Sequence, residues 1–177
     1  EVLQLMHRHN PEISEDIYQK IIGAKTAQLF EAACTMAASL CNANEEQAQA
    51  CGVFGKHLGL AFQLVDDALD YQGDNETLGK NLGDDLAEGK VTMPLIHLLQ
   101  HCDEPQTKTI SKAIVTGECG SLDDITALLK QYQSIDFTLS IAQKHIKLAT
   151  HALSTLPQGA YNQALQDLTI FITQRNH

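Results

Sequence analysis

Three aspartates stand inside one five-residue run, Asp66-Asp67-Ala68-Leu69-Asp70. On a helix of about 3.6 residues per turn, that run covers just over one turn. With Gln63 set at zero on a helical wheel, Asp66, Asp67 and Asp70 fall at roughly −60, +40 and −20 degrees, so four polar side chains share one narrow face. Leu64, Val65, Ala68 and Leu69 point the other way and read as packing. Like charges so crowded repel one another and cost stability unless a cation is shared between them. Oxygen-only donors suit a hard divalent ion such as magnesium, which keeps waters and is commonly completed by substrate phosphates. The bland account is a solvated acidic helix face. The residues downstream argue against it: Gly79-Lys80, Gly83-Asp84-Asp85 and Glu88-Gly89-Lys90 place two lysines ten residues apart in a glycine-bearing loop. Such a loop can fold back over whatever the carboxylates hold, and carboxylate-bound metal plus lysines is chemistry for a diphosphate.

The aspartates need a long helix to carry them. Asn44-Glu45-Glu46-Gln47 predicts a capping box at its start, and Gly73 predicts its stop near Gln72-Gly73. Gly52, Gly55 and Gly59 are poor helix formers, expected where another helix or an elongated substrate comes close. Gly52 and Gly59 lie on the aspartates' side and are expected to open a cavity there; Lys56, on that side too, reads as a salt-bridge or solvent residue. Upstream, Glu1 to about His9 reads as the tail of a helix whose Val2, Leu3, Leu5 and Met6 need a packing partner, and Asn10-Pro11 breaks it. Ser14 is a candidate N-cap, with Glu15 and Asp16 in the first turn, for one helix running to about Asn42. Its apolar spacing is carried by Ile17, Ile21, Ala24, Leu29, Ala32, Ala33, Met36, Ala37 and Leu40. Lys25 and Thr26 interrupt that pattern, and by itself Lys25 reads as an exposed helix lysine. Downstream, Thr92 and Pro94 predict another helix start. Helices are expected at about 104–116, 122–132, 135–155 and 159–174, with Asp123-Asp124 capping the second of them. The expected fold class is all-α. The chain reads as one all-helical domain over 1–177, with the chemistry in helices of about 1–102 and scaffold helices over about 104–174.

A chain of 177 residues is long enough for a sizeable core. Its net charge of −10 argues against nucleic acid or an acidic membrane surface as a partner. No apolar run approaches the roughly 20 residues of a membrane span, and no leader peptide is visible from Glu1 to Met6. Five cysteines, without a CxxC pair, read as free thiols of a reducing, cytoplasmic compartment. Cys34, Cys41 and Cys51 are expected to be small buried hydrophobes. The pairs His97/His101 and His7/His9 lack the further ligands that zinc needs.

Taken together, Phe62-Gln63-Leu64-Val65-Asp66-Asp67-Ala68-Leu69-Asp70, Leu78-Gly79-Lys80, Gly83-Asp84-Asp85, Glu88-Gly89-Lys90 and Pro94-Leu95 resemble the second aspartate-rich region of the trans-isoprenyl diphosphate synthases. Lys25-Thr26-Ala27 resembles that family's Lys-Thr motif. The similarity runs over essentially the whole chain and is greatest to bacterial octaprenyl diphosphate synthases. The resemblance implies the C-terminal part of an isoprenoid-synthase-type helical bundle. It implies a transferase that condenses an allylic diphosphate with isopentenyl diphosphate, giving a long-chain, octaprenyl product as a quinone side-chain precursor. It assigns Mg2+ to Asp66, Asp67 and Asp70, diphosphate oxygens to Lys25, Lys80 and Lys90, and the cationic end of the substrate to Thr26 and Gln63. A homodimer is usual for the family. One departure matters: the family carries two aspartate-rich motifs on facing helices, and only the second is here. The first motif, its arginines, the isopentenyl diphosphate site and the chain-length determinants are expected upstream of Glu1. This chain alone is therefore expected to be inactive. Two other classes stay open, a non-catalytic partner subunit of a prenyl synthase and a terpene cyclase; Lys80, Lys90 and Lys25-Thr26 favour the prenyl-joining branch.

Overall fold

The computed structural model describes residues 1–72, 82–118, 120 and 122–174, and every regular element among them is helical. The chain forms two compact units, one of Glu1–Ile21 with Asp66–Leu139, the other of Ile22–Val65 with Ser140–Asn176.

In the first unit, α1 (Val2–Met6) leads through a turn into α2 (Glu15–Ile22). The Ile17 N–H donates to Ser14 Oγ at 3.3 Å, so the cap lies where the sequence puts it. Val2, Leu5 and Met6 are 73%, 59% and 74% exposed, so the apolar side of α1 has no cover in this chain. After the C-terminal end of α4 (Glu45–Leu69) come α5 (Asp84–Ala87), α6 (Met93–His101), α7 (Glu104–Thr116) and α8 (Leu122–Gln131). Leu86, Met93, Leu95, Leu98, Ile110, Ile114, Ile125 and Leu129 are fully buried and form this unit's core. Helix α7 opens on a reciprocal pair, in which the Asp103 carboxylate accepts the Gln106 N–H and the Gln106 side chain accepts the Asp103 N–H. It closes on Gly117 in the left-handed conformation.

The second unit departs more from expectation. The single helix anticipated from Ser14 to Asn42 is broken by a π turn at Gly23–Ala27, after which α3 (Gln28–Leu40) continues. Gly23 weakens regular helix at this point, and the turn is held by a tertiary bond from Thr26 to Gln63. The large apolar residues Leu29, Met36 and Leu40 of α3 are 70%, 60% and 84% exposed, against the expectation of a buried stripe. The reason lies in the three glycines of α4. A Cβ at Gly55 would stand 2.5 Å from the Phe30 carbonyl oxygen, one at Gly59 2.7 Å from Ala27 Cα, and one at Gly52 2.9 Å from Thr35 Oγ1. The glycines therefore admit α3 at close range instead of opening a cavity. The side that packs carries Ala27 of the π turn and Phe30, Cys34 and Ala38 of α3, which turns positions 29, 36 and 40 outward.

Helix α4 starts as its sequence predicts: the Gln47 N–H donates to Asn44 Oδ1 at 2.9 Å, and the Asn44 N–H to Gln47 Oε1 at 3.2 Å. It ends at Leu69, three residues short of Gln72. There the bonding tightens, with Tyr71 and Gln72 N–H donating to the Ala68 and Leu69 carbonyls. Gly73, the expected stop, lies outside the described residues. Helix α9 (Ser134–Ser154) contributes to both units, and α10 (Ala160–Thr173) closes the second. Cys34 and Cys51 are half-buried and Cys41 is exposed, so none is the buried core residue expected. The three thiols instead line an apolar cavity of about 750 Å³ with Ala37, Phe54 and Leu153. Cys34, Cys41, Cys51 and Cys102 are free thiols; Cys119 lies outside the described residues.

Candidate active site

The acidic end of α4 belongs to the first unit. Asp66 is half-buried, while Asp67 is only 3% exposed. The Tyr18 hydroxyl of α2 donates to Asp67 Oδ2 at 2.5 Å. Asp70 sits in the turn just past α4. Its Oδ2 accepts the Asp85 N–H at 3.2 Å, and its carbonyl accepts the Gly83 N–H at 2.9 Å. The start of α5 is thus tied to the carboxylate that ends the acidic run. Burial, and next the charge of Asp85, push the Asp70 carboxyl up to about 7, although the Asp85 N–H and Lys90 pull the other way.

Lys90 Nζ lies 2.9 Å from Asp85 Oδ1 and 2.8 Å from Glu88 Oε2. Partial burial works against its charge, but hydrogen bonds to Glu88 and Asp85 outweigh it and hold the ammonium above its ordinary range. The turn that presents Lys90 is held from behind. The His9 N–H donates to the Gly89 carbonyl at 2.7 Å, His9 Nδ1 lies 2.9 Å from the Ile114 carbonyl, and Arg8 Nε donates to the Glu88 carbonyl at 2.5 Å. Gly89 is left-handed, and any Cβ on it would run into the His9 ring.

Lys25, Thr26 and Gln63 belong to the second unit. Lys25 and Thr26 are half-buried in the π turn, and Thr26 Oγ1 donates to Gln63 Oε1 at 2.9 Å. A π turn inside helical chain is a common local device at functional sites, because it re-aims a side chain without ending the helix. Nearby, the rings of Phe30 and Phe62 pack with centroids 5.9 Å apart. So the structure joins Thr26 to Gln63, and Asp70 to Asp85 and Lys90 through Asp85. Lys80 lies outside the described residues.

Among the described residues, no three His, Cys, Asp or Glu side chains are gathered as a closed ligand set. The donors present still fit a hard divalent ion. Asp66, Asp67 and Asp70 offer oxygens only, the donor type a hard cation takes.

Sequence reasoning missed Tyr18 and His9. A signal for Tyr18 was present, because Tyr18, Ile21 and Ile22 recur at helical spacing and are all buried. A phenol on the buried stripe of a helix demands a polar partner. His9 gave no such signal, since its partners lie about 80 and 105 residues away.

Residues 1–132 match the family profile described as Polyprenyl synthetase. The chain belongs to the polyprenyl synthetase family. It is 42% identical over 178 residues to the octaprenyl diphosphate synthase of Haemophilus influenzae, covering 100% of this chain and 54% of that protein. It is 40% identical over 177 residues to the octaprenyl diphosphate synthase of Escherichia coli, covering 99% of this chain and 55% of that protein. It thus spans about half the length of these curated relatives. Among solved polyprenyl synthetases, a decaprenyl diphosphate synthase from Rhodobacter capsulatus superposes with a TM-score of 0.90 at 38% identity, over 98% of this chain and 54% of that one. A polyprenyl synthase from Caulobacter crescentus, complexed with calcium and isoprenyl diphosphate, superposes with a TM-score of 0.92 at 38% identity, over the same shares. The all-α class expected from sequence is thus that of these structures. Among the described residues, no helix is long and apolar enough to cross a membrane.

Proposed function

We propose that the protein containing this chain is a polyprenyl diphosphate synthase, a transferase that condenses isopentenyl diphosphate with an allylic diphosphate. The observation that carries the reading is the acidic end of α4 with the Asp85–Lys90 turn tied to it, in a chain whose residues 1–132 match the polyprenyl synthetase profile. The difficult step is separation of charge as the allylic carbon–oxygen bond breaks, so catalysis is mainly electrostatic. Asp66, Asp67 and Asp70 would hold divalent metal, Mg2+ in our reading. When bound, it neutralises charge on the leaving diphosphate. Lys25, Lys80 and Lys90 would contact phosphate oxygens, with Lys90 exchanging Asp85 and Glu88 for them. Thr26 and Gln63, joined by their hydrogen bond, would turn oxygen toward the allylic cation. The double bond of isopentenyl diphosphate then attacks the cation, and a proton leaves the adduct.

Octaprenyl is the product we favour, supported by the relatives from Haemophilus influenzae and Escherichia coli. The nonaprenyl diphosphate synthase of Rhodobacter capsulatus, 42% identical over 169 residues, makes a nine-unit product the alternative outcome. A homodimer working in the cytoplasm completes the reading. The 177-residue chain by itself carries one aspartate-rich motif, half of a metal clamp, and is expected not to turn over. The uncovered apolar sides of α1 and α3 support this. The test is incorporation of labelled isopentenyl diphosphate with an allylic primer and Mg2+, with products sized by mass. A linear C40 diphosphate from the protein containing this chain, and none from this chain alone, is expected. A cyclic hydrocarbon, or no elongation, would overturn the assignment; robust turnover by this chain alone would overturn the half-clamp reading.

A further inference from the structure

We propose that Tyr18 is a positioning residue for the acidic end of α4, acting through Asp67. This rests on the reading of Asp66, Asp67 and Asp70 as the ion-holding carboxylates. Both partners are 3% exposed, and the phenol donates to Asp67 Oδ2 at 2.5 Å. That length falls at the short end for a hydroxyl donating to an ionised carboxylate. A carboxylate taken out of water at this depth stays charged only if hydrogen bonds replace its hydration. Tyr18 supplies such a bond from a different helix, α2, and fixes the plane of the carboxylate as it does so. The bond therefore references α2 and the acidic run of α4 to each other. Burial and the neighbouring Asp67 charge keep the phenol's proton in place, so it remains a donor through the neutral range. Hydrogen bonds behind ligating groups commonly account for 10- to 100-fold in metal affinity.

The plain alternative is a core hydrogen bond that serves only stability, and metal affinity separates the two. Binding of Mn2+ with inorganic diphosphate would be titrated by electron paramagnetic resonance on this chain, for the wild type, Tyr18→Phe, Asp67→Asn and the double variant. Tyr18→Phe is expected to weaken binding about 10-fold or more while retaining helical circular dichroism. In the Asp67→Asn background it is expected to add less than about 2-fold, because the two act as one unit. Wild-type affinity in Tyr18→Phe, with affinity lost in Asp67→Asn, would overturn the role of Tyr18 and leave the carboxylate site standing. Equal affinity in all four proteins, or none in the wild type, would remove the site and this proposal with it. A measurement without a Tyr18 variant guards against misfolding. The chain has no Trp, so tyrosine absorption is directly readable. Mg2+ with diphosphate should perturb it in the wild type and not in Asp67→Asn; an unchanged wild-type spectrum counts against the proposal.

Discussion

Asp70→Asn should stabilise the chain at alkaline pH and leave it nearly unchanged in acid. The Asp70 carboxyl is pushed from 3.8 up to about 7 in the folded chain, by burial first and by Asp85 second. Because the folded pKa is the higher one, the folded state holds a proton that the unfolded chain has released across roughly pH 4 to 7. Stability therefore falls as pH rises through that window, and the loss is complete above it. A shift of about three units, at about 1.36 kcal/mol each, would amount to roughly 4 kcal/mol. Asp70 is only partly buried, and solvent screening reduces this to about 2 kcal/mol. Asparagine removes the charge and still offers an oxygen to the Asp85 N–H. Urea unfolding from pH 4.5 to 8.5 in the presence of a chelator measures the effect. The difference between variant and wild type should grow from near zero to about 2 kcal/mol, or roughly 4–8 °C in Tm. Taking that difference cancels contributions common to both proteins. Mg2+ with inorganic diphosphate should recover much of the loss in the wild type and little in the variant. A pH-independent difference would refute the electrostatic reasoning, whatever its size.

Gly55→Ala should destabilise by roughly 1–3 kcal/mol, because the new Cβ meets the Phe30 carbonyl at 2.5 Å. Gly23→Ala meets nothing within 4 Å and should stabilise by about 0.4–1 kcal/mol; thermal melts of the two variants should therefore move in opposite directions. Thr26→Val removes the bond to Gln63 at nearly constant shape and should cost about 1 kcal/mol in the chain alone. In the protein containing this chain it should lower the rate of condensation more than the affinity for allylic diphosphate, as single-turnover and binding measurements would report.

Local signals carried much of the fold. The capping box at Asn44 and Gln47 and the Ser14 cap act within a few residues, and α4 and α7 to α10 begin and end close to where the sequence puts them. The aspartate run was legible because its spacing matches a helical turn. Contacts that depend on what comes across from elsewhere were not legible. Glycines at 52, 55 and 59 announce a close approach, but nothing in their own neighbourhood says whether a helix or a ligand fills it. Periodicity showed an apolar stripe on α3 without showing that its small-residue side would win the contact with α4. The π turn at Lys25-Thr26 depends on Gln63, which lies 37 residues on. Tyr18 and Asp67 meet over 49 residues, and a phenol looks the same in sequence whether or not it has a carboxylate to hold.

The imidazole of His9 occupies space that a side chain at position 89 would need, and the residues at 9 and 89 are also joined through their backbones. Neither can drift alone. A descendant that acquires a methyl group at 89 first evicts the ring, and with it the strut reaching to Ile114. A descendant that loses the ring first leaves a left-handed glycine with nothing to shelter. Histidine at 9 and glycine at 89 should accordingly be inherited, or abandoned, as a couple, and mutational scans should score the two sites as epistatic.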